Sequence, residues 1–183
     1  MTSQAPLDSA QLRFRPLGYA DLALLHRWLN EPHVKPWFHG GPPLADVVAE
    51  YSAYIDGREP IAAFLVSYGE RPIGMMNWQR CGDFPDFMGL YQIEDPNAAN
   101  CDVVLGEPEF VHRGLGPLLI RRFAREVIFA DPCITTLIID PERGNASAIR
   151  AYEKAGFRFL RFIDDDGEGK PLKGVMKAGK NLF

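Results

Sequence analysis

Two glycines stand two apart beside an arginine in E-F-V-H-R-G-L-G at 109–116, where an apolar segment gives way to P-L-L-I at 117–120. Glycine lets successive backbone N–H groups turn toward one point, and a helix beginning there adds its positive end. The chemistry on offer is capture of an anion such as a pyrophosphate. A glycine-rich turn before an ordinary helix carries the same letters, so this stretch alone leaves both readings open. Asp102 is the second unusual residue. It interrupts the apolar run C-D-V-V-L at 101–105, where aspartate is disfavoured. In a strand Cys101, Val103 and Leu105 would face one way, Asp102 and Val104 the other. A third signal is charge: 81–111 holds seven carboxylates (Asp83, Asp86, Glu94, Asp95, Asp102, Glu107, Glu109) and no Lys, Arg or His. Such a run is either a solvated loop or a mouth that attracts a cation.

The elements that must position these residues follow from periodicity. Residues 11–16 alternate and end at a proline, as a short strand does. A helical pattern starts at Asp21 (Leu22, Leu25, Leu29) and stops before Pro32. Prolines and glycines bar regular structure from 33–43, which nonetheless carries Trp37-Phe38; these either pack on the core or line a cleft. Residues 44–54 read as a second helix. The apolar runs 61–68 and 72–79, separated by Gly69-Glu70-Arg71, read as a hairpin. Residues 81–100 form a poorly periodic connection, followed by a strand at 101–105 and a helix from the glycine turn to about 129. In that helix Ile120, Phe123, Ala124 and Val127 form the buried stripe, with Arg121, Arg122 and Arg125 facing out. Residues 134–139 are β-branched on both faces, as in a covered central strand. Asn145 caps a helix through Ala155 that Gly156 stops. Strands at 157–163 and 172–176 close around the turn 164–170. The fold class is α/β (α+β layered), with a mixed, partly antiparallel sheet flanked by helices.

Length and composition bound the function. With 183 residues, 46% apolar and 24% charged, the chain suits one domain (1–183), with 1–10 expected to be flexible. No apolar run nears the length of a membrane span, and the polar start lacks the pattern of a signal peptide. Three dispersed cysteines (Cys81, Cys101, Cys133) point to a reducing cytoplasm and away from disulfides or structural zinc. The net charge of −4 offers no general attraction to nucleic acid or anionic membranes. No hydrolase triad or H-E-x-x-H pattern appears, and His26, His33 and His39 have no ligand spacing.

The pieces V-H-R-G-L-G-P-L-L-I at 111–120, I-I-D-P at 138–141 and N-A-S-A-I-R-A-Y-E-K-A-G-F at 145–157, in this order and spacing, resemble the GNAT superfamily of acyl-CoA-dependent N-acyltransferases. The chain also resembles one branch nearly end to end, the bacterial aminoglycoside 6′-N-acetyltransferases. That likeness runs through D-L-x-x-L-x-x-W-L-N at 21–30, Trp37-Phe38, L-A-D-V at 44–47, P-I-G at 72–74, E-D-P at 94–96 and the D-P-x-x-x-N beginning at Asp140.

The resemblance implies a sheet split between the strands at 101–105 and 134–139, with acetyl-CoA as co-substrate and no metal. Val111, His112, Arg113, Gly114, Leu115, Gly116 and Pro117 would hold the pyrophosphate. Val103 and Val104 would pair with the pantetheine arm, which Asn145 also touches. Val111 departs from the superfamily pattern, which has Arg or Gln there; His112 or Arg113 would supply the missing side chain. By resemblance Asp102 is the general base and holds the substrate ammonium, and Tyr152 attends the leaving thiolate. Trp37, Asp95 and Asp140 would contact a cationic acceptor, an aminoglycoside in the antibiotic-resistance setting of that branch. Trp78 and Tyr91 belong to the core or the rim. Other acceptors remain open: a siderophore hydroxylamine, a polyamine or a protein N-terminus. So does a non-catalytic CoA-binding module. Oligomeric state is not readable.

Overall fold

The computed structural model describes residues 7–38, 40–164 and 172–183. Its elements run β1 (Leu12–Pro16), α1 (Leu22–Leu29), α2 (Leu44–Ile55), β2 (Ile61–Tyr68), β3 (Arg71–Arg80), α3 (Pro85–Tyr91) and β4 (Ala99–Leu105). They continue α4 (Leu115–Glu126), β5 (Thr136–Ile139), α5 (Ala146–Ala155), β6 (Arg158–Ile163) and β7 (Lys173–Gly179). The seven strands form one sheet in the order β1-β2-β3-β4-β5-β7-β6. Only β4 and β5 run parallel; every other neighbouring pair is antiparallel. This is the mixed, partly antiparallel sheet that the sequence implies.

The side-chain alternation of the strands builds two apolar faces. Val66, Met76, Cys101, Leu137 and Ile139 meet α4 through Leu119, Ile120, Phe123 and Ala124. Phe14 and Phe64 stand edge-on to Phe123, with ring centroids 5.2 and 5.4 Å away. On the opposite face Leu65, Met75 and Val104 meet Leu25 and Trp28 of α1 and Val47 and Tyr51 of α2. The neighbours Leu65/Val66 and Met75/Met76 thus serve different layers. Tyr91 of α3 extends the second face, against Ile138, Ile163 and Val175.

Two local features fix the strand that carries Asp102. The glycine of P-I-G is required by close approach: a Cβ on Gly74 would lie 2.1 Å from the Val104 carbonyl oxygen. Just past the end of β4, buried Glu107 accepts hydrogen bonds from Trp28 Nε1 (2.8 Å), Arg71 Nη2 (3.0 Å) and Arg27. Burial alone would raise the Glu107 carboxyl; the bonds from Trp28 and Arg27 and the guanidinium charges outweigh it and leave the group below the usual carboxylate range.

Several elements differ from the periodicity reading. The connection 81–100 contains α3, begun by Pro85 in its first turn, where a missing N–H costs nothing. Seven residues are too few to display a period. The helix expected to reach about 129 ends at Glu126, and Ile128–Ala130 turn as 3-10 helix so that Ile128 and Phe129 enter the core. β5 starts at Thr136 rather than 134, because the Ile134 N–H is used in a turn with Asp131 O (3.3 Å). β7 runs to Gly179, pairing all of β5. Arg121 and Arg122 do not simply face water: Arg121 bonds Leu182 O (2.9 Å), and Arg122 bonds Glu126 (2.7 Å) and Ser9 O. Of the stretch 1–10 expected to be flexible, Ser9 and Ala10 lie in a 3-10 turn (Ser9–Gln11) capped by Asp8. Residues 1–6, and the turn 164–170 apart from Asp164, lie outside the described residues.

Candidate active site

The site begins where the sheet comes apart. β4 and β5 are paired only at Ala99↔Leu137 and Asn100↔Ile138. Beyond Asn100, β4 stays on β3 as far as Leu105, while β5 ends at Ile139. The Gly106 N–H donates to Ile73 O at 2.9 Å, which sets the phase of the antiparallel ladder. By alternation the backbone groups of Cys101, Val103 and Leu105 then point away from β3, into the gap. His33, assigned no role from sequence, places Nε2 2.9 Å from the Leu105 carbonyl oxygen. A parallel split of this kind offers an extended ligand unused N–H and C=O groups along one strand.

A cavity of about 710 Å³ opens at the split and brings together Asp102, Val103, Asp140, Asn145, Tyr152 and Trp37. Asp102 and Val104 share a face, as the alternation predicts, but diverge in surroundings: Asp102 is open to the cavity, while Val104 is 1% exposed beneath α1 and α2. Val104 also uses its backbone toward β3, so it offers the gap nothing. Asp102 is reached by water through the cleft, yet the protein around it still costs the charged form hydration. That cost, then the charge of Asp140, pushes its pKa up to about 6, with a side-chain hydrogen bond from Asn77 and the charge of Lys173 acting the other way.

Tyr152 and Asn145 share α5. Asn145 Oδ1 accepts the Ala148 N–H at 3.1 Å, the cap that the sequence predicts. Burial first, then the neighbouring Cys101 and Asp102, hold the Tyr152 phenol well above its ordinary pKa, so it keeps its proton and can donate it in a hydrogen bond. Trp37 lies against the loop before α5: a side chain on Gly144 would meet its ring at 3.9 Å. Asp140, at the end of β5, is held on three sides. Oδ1 accepts from Asn100 Nδ2 (3.0 Å), and Oδ2 from the Tyr91 hydroxyl (3.0 Å) and Lys173 Nζ (3.2 Å).

The structure does not bring every expected residue to this cavity. Asp95 is not among the residues lining it, and its carboxylate accepts the Asn97 N–H (2.9 Å) in a local turn. Residues 111–117 form a separate feature at the start of α4. Gly114 sits at φ +77°, open on its Cβ side, and His112 takes φ +60°, so the backbone turns left-handed twice within three residues. The first N–H groups of α4, at Leu115 and Gly116, have no acceptor within the helix. Leu115 contributes only that N–H, since its side chain is 1% exposed in the core, and Pro117 has none to contribute. Val111 is half-buried and His112 exposed.

The acidic mouth is built differently from the expectation. Of the seven carboxylates in 81–111 only Asp102 lines the cavity. Glu107 and Glu109 are bound by arginines at the β4 exit. Among the described residues the other cavity carboxylates are Glu50 on α2, Asp140, and Glu142 in the loop before α5, and Lys173 is the one cation that lines it. Sequence reasoning missed Glu50, although it lies one turn from Val47 and Tyr54 on a helix whose apolar face is legible; Tyr54 donates its hydroxyl to it at 2.8 Å. Asn100 and Lys173 had no sequence signal, since each gains its meaning from contact with Asp140; Tyr91, expected in the core or the rim, is buried and lines the cavity with its hydroxyl on Asp140. Among the described residues no group of three or more His, Cys, Asp or Glu side chains is placed to hold a metal ion, and no helix is long and apolar enough to cross a membrane.

Residues 19–165 match a family model described as an acetyltransferase (GNAT) domain. The aminoglycoside N(6′)-acetyltransferase type 1 of Klebsiella pneumoniae is 34% identical over 154 residues, covering 82% of this chain and 74% of that one. The lysine N-acyltransferase MbtK of Mycobacterium sp. (strain MCS) is 29% identical over 142 residues, covering 77% of this chain and 57% of that one. Among solved structures, aminoglycoside acetyltransferase AAC(6′)-Ib in complex with coenzyme A and kanamycin superposes with a TM-score of 0.81 at 28% identity. It covers 94% of this chain and 96% of its own.

Proposed function

The chain belongs to the GNAT acetyltransferase family, and from that premise we propose that it acetylates the 6′-amine of an aminoglycoside, using acetyl-CoA in a ternary complex. The observation that carries the acceptor is the cavity wall: among the described residues four carboxylates, Glu50, Asp102, Asp140 and Glu142, line it with one cation, Lys173. Such a wall concentrates polycationic ligands by its field and holds them by charge-assisted hydrogen bonds. The relatives named for aminoglycosides support the same class.

In the proposed reaction the pantetheine arm lies along the gap beside β4. The pyrophosphate rests on the N–H groups of His112 to Gly116, with Asn145 beside the arm. Asp102, ionised above about pH 6, takes a proton from the acceptor ammonium. The freed nitrogen attacks the thioester carbonyl, the C–N bond forms, and a β4 N–H stabilises the oxyanion. The C–S bond then breaks, and the second nitrogen proton balances the thiol that leaves. Tyr152 donates a hydrogen bond to the departing sulfur. Trp37 covers the sugar ring, and Asp140 adds negative charge at the far side. Asp95, tied into its own turn, is not assigned an acceptor contact.

Direct transfer is favoured over a covalent acyl-enzyme by the state of Cys101. It is the cysteine that lines the cavity, and burial first, then the charge of Asp102, holds its thiol well above the ordinary range. A thiol so disfavoured as thiolate is a poor nucleophile. The test is thiol release from acetyl-CoA with kanamycin, followed by NMR assignment of the acetylated nitrogen. Release with kanamycin and acetylation at the 6′-nitrogen is the expected result. Release only with a lysine side chain or a polyamine would move the acceptor, and none with any amine would end the proposal.

A further inference from the structure

Lys173 is a charged cavity residue to which the transfer chemistry gives no part. Its ammonium lies inside a carboxylate-lined cavity, 3.2 Å from Asp140 Oδ2 and 5.8 Å from the centroid of the Tyr91 ring. The position is set by backbone, not by chance contact of a long side chain. The Gly174 N–H donates to Pro141 O (2.8 Å) and the Arg143 N–H to Leu172 O (2.7 Å), and Glu142 and Lys173 form an antiparallel bridge. The first residue of β7 is thereby stitched to the loop that follows Asp140.

The Asp140 carboxylate and the Tyr91 ring beside that ammonium have the parts of an ammonium subsite. Asp140 is only 12% exposed at its side chain, is oriented by Asn100 on one oxygen and Tyr91 on the other, and presents its remaining capacity beside an aromatic face. A carboxylate with an aromatic ring alongside suits an alkylammonium ion. In this chain the protein itself supplies that ion.

We propose that Lys173 is a resident counter-ion that fills an ammonium subsite at Asp140 and thereby sets which polyamine acceptors the cleft takes. This rests on the acceptor reading given above. An acceptor bearing several ammonium groups must displace Lys173 to use Asp140. One bearing a single ammonium, held at Asp102, never meets it. Removing the lysine leaves Asp140 oriented by Tyr91 and Asn100 and available to the ligand. Affinity then rises with the number of ammonium groups, the opposite sign from the loss of a merely structural lysine.

The experiment is calorimetric binding of kanamycin and of 6-amino-6-deoxyglucose, which has one amine, to the wild type and to K173M, K173Q and K173R. Coenzyme A affinity, titrated in parallel, reports that each variant is folded. K173M and K173Q are expected to bind kanamycin about five- to tenfold more tightly, with the one-amine sugar changed less than about twofold. K173R, which keeps the charge, binds as the wild type does. Equal or weaker kanamycin binding by both neutral variants overturns the inference, and if thiol is still released, the acetyltransfer reading survives it. Tighter binding without thiol release does the reverse. No binding of kanamycin to any of the four proteins overturns both.

Discussion

Asn77 and Asp102 are register partners across β3 and β4, and the Asn77 amide oxygen accepts the Asp102 backbone N–H at 3.2 Å. The Asn77 side chain also hydrogen-bonds the carboxylate in its ionised form, against the burial and the Asp140 charge that raise its pKa to about 6. A base must be ionised to act, so kcat/KM is expected to rise with pH through an acid limb near 6 and level off above it. Asn77→Ala removes a bond that favours the charged form. Its limb should move to higher pH, with the alkaline plateau less affected than the rate at pH 6. A pH profile of thiol release measures both; a limb that stays in place in the variant would deny Asn77 this role.

Tyr152 should matter less than Asp102. A thiol with a pKa of roughly 8.5 leaves as thiolate without an obligatory acid. Tyr152→Phe keeps the ring packing on Phe157, whose centroid is 5.8 Å away, and loses only the hydroxyl. The expected loss is about three- to tenfold in kcat, of the order of one hydrogen bond. A loss above about a thousandfold in steady-state turnover would instead make it an essential proton donor.

Glu107 supports the strand exit rather than the reaction. Glu107→Ala leaves Arg27, Arg71 and the Trp28 indole N–H without their shared acceptor. Both arginines are half-exposed and regain water, so the expected cost is about 2 kcal/mol rather than that of a fully buried pair. Because the folded-state pKa is lowered, the wild-type contribution is present above the ordinary carboxylate value and fades as pH falls through the lowered one. Denaturant melts of both proteins at neutral and acid pH should show the gap closing as pH drops.

The layers of the fold were legible because adjacent strand residues such as Leu65/Val66 commit to opposite faces, and because Asn145 and Gly156 mark both ends of α5 unmistakably. The glycine turn and the aspartate in β4 were legible for the same reason: each breaks a local rule. What stayed hidden is relational. α3 is too short to show a period, and Glu50 and Glu142, which join Asp102 and Asp140 in the cavity, lie more than ninety residues apart in the chain. Of the conspicuous acidic run 81–111 only Asp102 lines the cavity, while Glu107 and Glu109 are bound by arginines and Asp95 accepts a turn N–H. Lys173 had no signal at all before Asp140 was beside it.

The most direct test is single-turnover and steady-state thiol release from acetyl-CoA with kanamycin by the wild type and by Asp102→Asn, with coenzyme A affinity measured on both. Asparagine keeps the shape and cannot take a proton. The wild type should turn over, and the variant should lose about a hundredfold or more in kcat while binding coenzyme A as before. An Asp102→Asn variant that turns over at the wild-type rate would contradict the assignment of Asp102 as the base.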